Sequence, residues 1–196
     1  MDLTEGTQQE KNNRSKKMML YFGIGSLVMS FAGWTSAFIV SRKQRLEDDW
    51  LTNYELPSAF TWSLIVILIS SFILVLSKRA LKQNNLQLST TLLISTIVLG
   101  IVFIATQFMA FGQIIEQGYY FTGNSSNITM TYIYLLAAVH IAHVVVGLIC
   151  LLVVLIKMLG KKYSASNILG FELAAIFWHF VDGLWVFLFL FLLFLK

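Results

Sequence analysis

Five long apolar runs limit what this chain can fold into. They lie at about 18–40, 58–77, 91–115, 131–156 and 170–195, and each matches the roughly 20 residues that cross a bilayer. A span in lipid must satisfy its own backbone hydrogen bonds, so each run is expected to be a helix. Composition agrees: 57% of the 196 residues are hydrophobic and 12% are charged, where a soluble domain is about a quarter charged. The expected fold is all-α, a polytopic bundle of five transmembrane helices over 18–196, behind a polar and disordered tail at 1–17. That tail does not read as a cleavable signal, because the run behind it is long enough to span and lacks a small-residue cleavage site. The single proline, Pro57, leaves the helices uninterrupted, and the single cysteine, Cys150, excludes a disulfide within the chain.

Orientation follows from the basic residues in the connections. Lys11, Arg14, Lys16, Lys17, Lys78, Arg79, Lys82, Lys157, Lys161 and Lys162 fall on one side, against Arg42, Lys43, Arg45 and Lys196 on the other. The N-terminus is therefore expected in the cytoplasm and the C-terminus outside. A net charge of +4 distributed this way is not a nucleic-acid signature. The connection 41–57 carries Glu47, Asp48, Asp49 and Glu55 and reads as a solvated loop; Trp50, Tyr54, Tyr119 and Tyr120 suit the membrane interface. Asn124-Ser-Ser and Asn127-Ile-Thr match the glycosylation sequon, which a polar turn explains equally.

Polar residues inside the runs are where chemistry could reside. The first run carries Ser26, Ser30 and Gly33 on one face, a pattern that lets helices approach closely. The second carries Ser63, Ser70 and Ser71, and the third Gly100 and Gln107. In the fourth, His140 and His143 share a face three residues apart. The fifth places Glu172, His179 and Asp182 within an arc of roughly 80°, beside a stripe of Trp178 and Trp185. Ionisable groups at this depth are costly and face a partner helix or a cavity. Antiparallel packing would bring His143 and Asp182 to similar depth.

Three histidines and two carboxylates admit a metal site, a haem or a proton relay as well as a structural network. No Glu-x-x-His pair is present, and the bulk of Trp178, Phe180 and Trp185 crowds His179 against a bis-histidine haem. No charge appears in the first three runs, so the polar groups form no series across the bilayer. No nucleophile–base motif, phosphate loop or soluble catalytic domain is present. The residues favour a neutral, hydrogen-bonded His–Asp network in which Asp182 holds His179 or another buried donor.

The last two runs also carry a family resemblance. Trp178-His-Phe-Val-Asp182 followed by Trp185, and Gly170-Phe-Glu172 before it, resemble the terminal helix of subunit III of the haem-copper terminal oxidases, the cytochrome c and quinol oxidases. His140-x-x-His143-Val with Gly147 resembles the helix before it. Leu99-Gly-Ile with Gln107, Phe31-Ala-Gly33, Ala37-Phe38 and Glu55-Leu-Pro57 extend the likeness over all five runs. Many members have seven helices, and short five-helix forms like this chain are also known. The embedded carboxylate of the first shared helix is replaced here by Ser26 or Leu27, so its roles do not transfer.

The resemblance implies an accessory, cofactor-free subunit of a proton-pumping oxidase in a prokaryotic cytoplasmic membrane. Haem and copper are expected in partner subunits. The implied partners are the large catalytic subunit, other oxidase subunits and phospholipids, and the implied service is support of proton uptake and resistance to turnover inactivation. The two missing helices would remove one wall of the family's lipid cleft, so lipids would be held differently or another subunit would fill that wall. On this reading His140, His143, Glu172, His179, Asp182 and Gln107 are a structural polar network. Trp178, Trp185, Gly147, Gly170 and Phe171 serve packing and lipid contact. The alternatives are a haem-binding membrane anchor of another respiratory complex, a transporter, which the lack of repeats and broken helices disfavours, and an assembly factor.

Overall fold

The structure is a computed structural model that describes residues 8–44, 51, 56–123, 127–160 and 168–194. The acidic cluster at 47–55, the Asn124 sequon, Lys161 and Lys162 lie outside the described residues. The described chain forms α1 (Gln8–Gln44), α2 (Ser58–Lys82), α3 (Leu86–Glu116), α4 (Ile128–Leu159) and α5 (Leu169–Phe194). All five are long and apolar enough to cross a membrane, and no strand occurs among the described residues. The protein is a multi-pass, all-helical membrane protein.

One expectation changes. Residues 8–17, read as disordered, are the first turns of α1. Gln, Glu, Lys and Arg dominate this stretch and are good helix formers. Extending a helix already nucleated in the membrane avoids the cost of a new nucleus.

The ends of the elements follow local chemistry. α2 and α3 form a hairpin through Gln83, Asn84 and Asn85. Asn84 takes a left-handed φ of 63°, which asparagine tolerates better than most residues. The side chain of Asn85 caps α3 by accepting from the Leu88 amide at 3.1 Å. Asn127 caps α4 in the same way, accepting from the Thr129 amide at 2.9 Å.

α2, α3, α4 and α5 close into a ring in which each packs on two neighbours, and α1 lies outside it against α4 and α5. The buried positions repeat every three and four residues. On α2 they are Phe60, Ser63, Ile67, Ser70, Leu74, Ser77 and Leu81. On α3 the row runs Ser89, Leu93, Thr96, Gly100, Phe103, Gln107, Ala110 and Ile114. α4 continues the pattern through Ala137, His140, Val144, Gly147 and Leu151, and α5 through Phe171, Trp178, Trp185 and Leu192. This is the 3.5-residue spacing of a packed helix seam.

α1 departs from the pattern and buries Phe31, Thr35 and Phe38. Its small-residue face meets nothing in the bundle: Gly23, Gly25 and Gly33 each have open space where a Cβ would stand.

Candidate functional site

The polar seam of α5 is built around two indoles. Trp178 and Trp185 are seven residues apart, so both face one groove. Each donates its Nε1–H to a serine of α2, Trp178 to Ser70 Oγ at 3.2 Å and Trp185 to Ser63 Oγ at 3.1 Å. Ser63 and Ser70 are also seven apart, and the reversed order shows that α2 and α5 run antiparallel. Buried indoles need such acceptors, because a lost hydrogen bond at this depth leaves a full desolvation penalty.

Two glycines make room for Trp178. A Cβ on Gly100 of α3 would stand 2.7 Å from both Trp178 Cη2 and Leu148 Cδ2, and one on Gly147 of α4 would stand 3.0 Å from Trp178 Cε3. One ring therefore touches α2, α3 and α4 from α5. Trp185 fills the next layer, edge-on to Phe60 and Phe103 with centroids 5.5 Å away. His140 stacks on it at 5.0 Å with an interplanar angle of 25°. Phe171 is fully buried one heptad before Trp178.

The six ionisable or amide side chains expected to join one network occupy separate surroundings, and no hydrogen bond links any two of them. His179 Nδ1 pairs with Ser71 Oγ at 2.6 Å, so its partner is a hydroxyl of α2 and not Asp182. The two residues lie three apart on α5 and diverge. His179 is half-buried at the edge of an apolar groove against α1. Asp182 turns inward, 3% exposed; Ser71 faces its carboxyl, whose oxygens nevertheless lie outside hydrogen-bonding geometry. His143 donates Nδ1–H to the Val139 carbonyl one turn back at 2.7 Å, and its ring meets Phe31 of α1 at 5.6 Å. His140 and Gln107 are buried in the seams of α4 and α3 without hydrogen-bond partners.

Glu172 stands apart at the start of α5. Its two oxygens receive Lys17 Nζ of α1 at 3.1 Å and Lys78 Nζ of α2 at 3.2 Å. One carboxylate thus straps three helices. Sequence reasoning missed both partners, although all three residues fall at the basic end of their helices. Gly170, beside it, lines a groove of about 420 Å³ between α1, α4 and α5, with Leu20, Cys150 and Lys157 on the other walls.

This arrangement offers little to a redox centre. His140 is covered by Trp185 and Phe103; His143 and His179 bond the Val139 carbonyl and Ser71 through Nδ1, which leaves their Nε2 atoms as the nitrogens a metal would take. The three imidazoles do not converge, and no group of three His, Cys, Asp or Glu side chains suited to a metal occurs among the described residues. The indole stripe, the glycines beneath it and the strap at Glu172 are devices for holding helices together.

The chain is similar in sequence to known proteins. The family model for cytochrome c oxidase subunit III matches residues 49–196, from the segment before α2 onward. The cytochrome c oxidase subunit 3 of Alkalihalophilus pseudofirmus is 27% identical over 176 residues, covering 90% of this chain and 84% of the relative. That of Spodoptera frugiperda is 36% identical over 129 residues, covering 64% and 82%. That of Pelomedusa subrufa is 29% identical over 194 residues, covering 94% and 70%. The profile match alone spans well over half of the chain, so this protein belongs to the cytochrome c oxidase subunit III family.

Proposed function

We propose that this chain is the accessory subunit III of a proton-pumping haem-copper oxidase in a prokaryotic cytoplasmic membrane. It carries no cofactor; haem and copper reside in the large catalytic subunit on which it packs. The observation that carries this reading is the use to which the α5 motif is put. Trp178 and Trp185 join α5 to α2 through Ser70 and Ser63, and Glu172 joins α5 to α1 and α2. Side chains committed to holding helices are what a scaffold subunit requires.

The groove lined by Gly170, Lys157 and Cys150 suits a phospholipid with its headgroup at the lysine. Support of proton uptake follows from the position of Glu172, Lys17 and Lys78 at the expected cytoplasmic face, where they keep charge beside the catalytic subunit.

A mild-detergent pull-down of the tagged chain, with mass identification and a visible spectrum, tests this reading. Recovery of a large haem-copper subunit, whose haem is lost when that subunit is stripped away, is expected. Haem retained by the isolated chain would overturn it and restore the membrane-anchor alternative.

A further inference from the structure

We infer that the groove between α1 and α5 is a binding site for an isoprenoid quinone, with a ring oxygen on His179 Nε2 and the apolar tail running out past Phe187. The inference rests on α1 and α5 lying in the bilayer and not on the accessory role, and it assigns no electron transfer to this chain.

The groove measures about 590 Å³, a size that suits a small organic ligand. Its walls are mostly apolar, with Val28, Phe31 and Ile39 from α1 and Phe180 and Phe187 from α5. The Thr35 hydroxyl is spent on its own helix, on the Phe31 and Ala32 carbonyls at 2.9 and 3.1 Å. His179 differs. Its Nδ1 pairs with Ser71 at 2.6 Å. The two ring nitrogens diverge, so Nε2 is turned away from that bond, and it has no hydrogen-bond partner among the described residues. Gly183 stands one turn further along α5 with open space at its Cβ position, which leaves room for a flat ring beside the imidazole.

Depth and hydrogen bonding then select the ligand. His179 lies seven residues along α5 from Glu172, about 10 Å deeper than the charged strap. A polar nitrogen open to hydrocarbon is costly without a partner. An acyl chain provides none, and a charged phospholipid headgroup does not descend so far. The ligand is therefore neutral, apolar over most of its length and polar at one ring. Ser71 narrows the class. It is bonded to Nδ1 and also faces the Asp182 carboxyl, so its hydroxyl can turn either way. With that hydroxyl toward Asp182, Nδ1 carries the imidazole proton and Nε2 accepts. With it toward Nδ1, Nε2 carries the proton and donates. A quinol presents a hydroxyl and a quinone a carbonyl, and an imidazole backed in this way serves both. A simple lipid alcohol would use only half of the device.

The test uses the purified native complex in phosphatidylcholine nanodiscs, with a short-chain quinone bearing an azide on its ring as the probe. Cross-links are mapped by peptide mass after illumination. Label is expected within residues 28–40 and 179–187. Excess decylubiquinone and excess decylubiquinol should both displace it, and decylbenzene, a ring and tail without oxygen, should not. His179→Phe should cut the label about fivefold, which corresponds to one lost hydrogen bond of about 1 kcal/mol. Gly183→Leu fills the ring position from the open side of α5 while leaving the His179–Ser71 pair in place, and should also remove the label. Phe72→Leu, on an exposed face of α2 outside the groove, should change nothing. Label that decylbenzene displaces as well as the quinone does, or that survives both groove variants, would overturn the site, because the groove would then take any hydrocarbon. So would label that appears only after a neighbouring subunit is stripped away, because a protein would then be the occupant.

Discussion

A single added methyl group tests the centre of the bundle. Gly100 lies where a Cβ would meet Trp178 and Leu148 at 2.7 Å, and neither neighbour is a loose end: Trp178 is fully buried and Leu148 nearly so. Overpacking of this kind costs about 1–3 kcal/mol. Gly100→Ala is therefore expected to lower the thermal midpoint of the detergent-solubilised protein, and Gly147→Ala, with its nearest contact at 3.0 Å, to lower it less. The double variant Gly100→Ala/Trp178→Phe separates ring contact from backbone effects. The smaller ring withdraws the atoms that clash, so the cost of the alanine should shrink, with a coupling of about 0.5–3 kcal/mol. Additive losses would show that Trp178 does not fill the space at Gly100. The same scale changes the account of Asp182. Since His179 is held by Ser71, Asp182→Ala does not strip His179 of its partner; Ser71→Ala does, at about 1–3 kcal/mol for an unsatisfied buried group.

At the scale of elements, α2 and α5 are joined by matched seven-residue rows, and the two serine–tryptophan bonds lie about 10 Å apart along the helices. Ser63→Ala and Ser70→Ala should each cost about 1–3 kcal/mol by stranding an indole N–H, and their effects should add within about 0.5 kcal/mol at that separation. Strong non-additivity in thermal unfolding would mean that the helices shift as a unit when one bond is lost.

The strap at Glu172 belongs to a different class. Its side chains retain 19%, 41% and 32% exposure at Glu172, Lys17 and Lys78, so water screens both pairs. Exposed pairs contribute about 0.2–1 kcal/mol each. Glu172→Gln should therefore cost about 1 kcal/mol at low ionic strength and much less in 1 M salt, as read from the difference in thermal midpoints under the two conditions.

Much of this architecture was legible in the sequence. Apolar run length yielded the five helices, because the bilayer fixes the length of a span. The stripe of Trp178 and Trp185 was visible because a helix repeats every seven residues. The acceptors at Ser63 and Ser70 carried the same spacing on α2, but only pairing of the two helices reveals which stripes meet. Lys17 and Lys78 were invisible for a related reason: they sit 155 and 94 positions from Glu172 in the chain and share only the end of the bundle. His179 and Asp182 each face Ser71 and not each other; polarity within one arc of a helix does not say which neighbour each side chain addresses.

At the scale of the whole molecule, the remaining question is which end of the bundle faces the cytoplasm. Lys17 and Lys78 meet at one end through Glu172, and Lys82 and Lys157 close α2 and α4 at that end. The described connection at the other end of α3, residues 117–123, contains no Lys or Arg. Because basic residues are retained during insertion, we propose that the first end lies in the cytoplasm. Arg42 and Lys43 at the far end of α1 oppose this but are outnumbered. In a Cys150→Ser background, Thr122→Cys is expected to react with a membrane-impermeant maleimide in intact cells, and Asn12→Cys only after permeabilisation. The reverse pattern would put Glu172 and its lysines outside. The strap would still tie α1, α2 and α5 together, but it could no longer support proton uptake from the cytoplasm. Labelling thus tests the functional part of the proposal separately from the packing part, which rests on contacts that do not depend on direction.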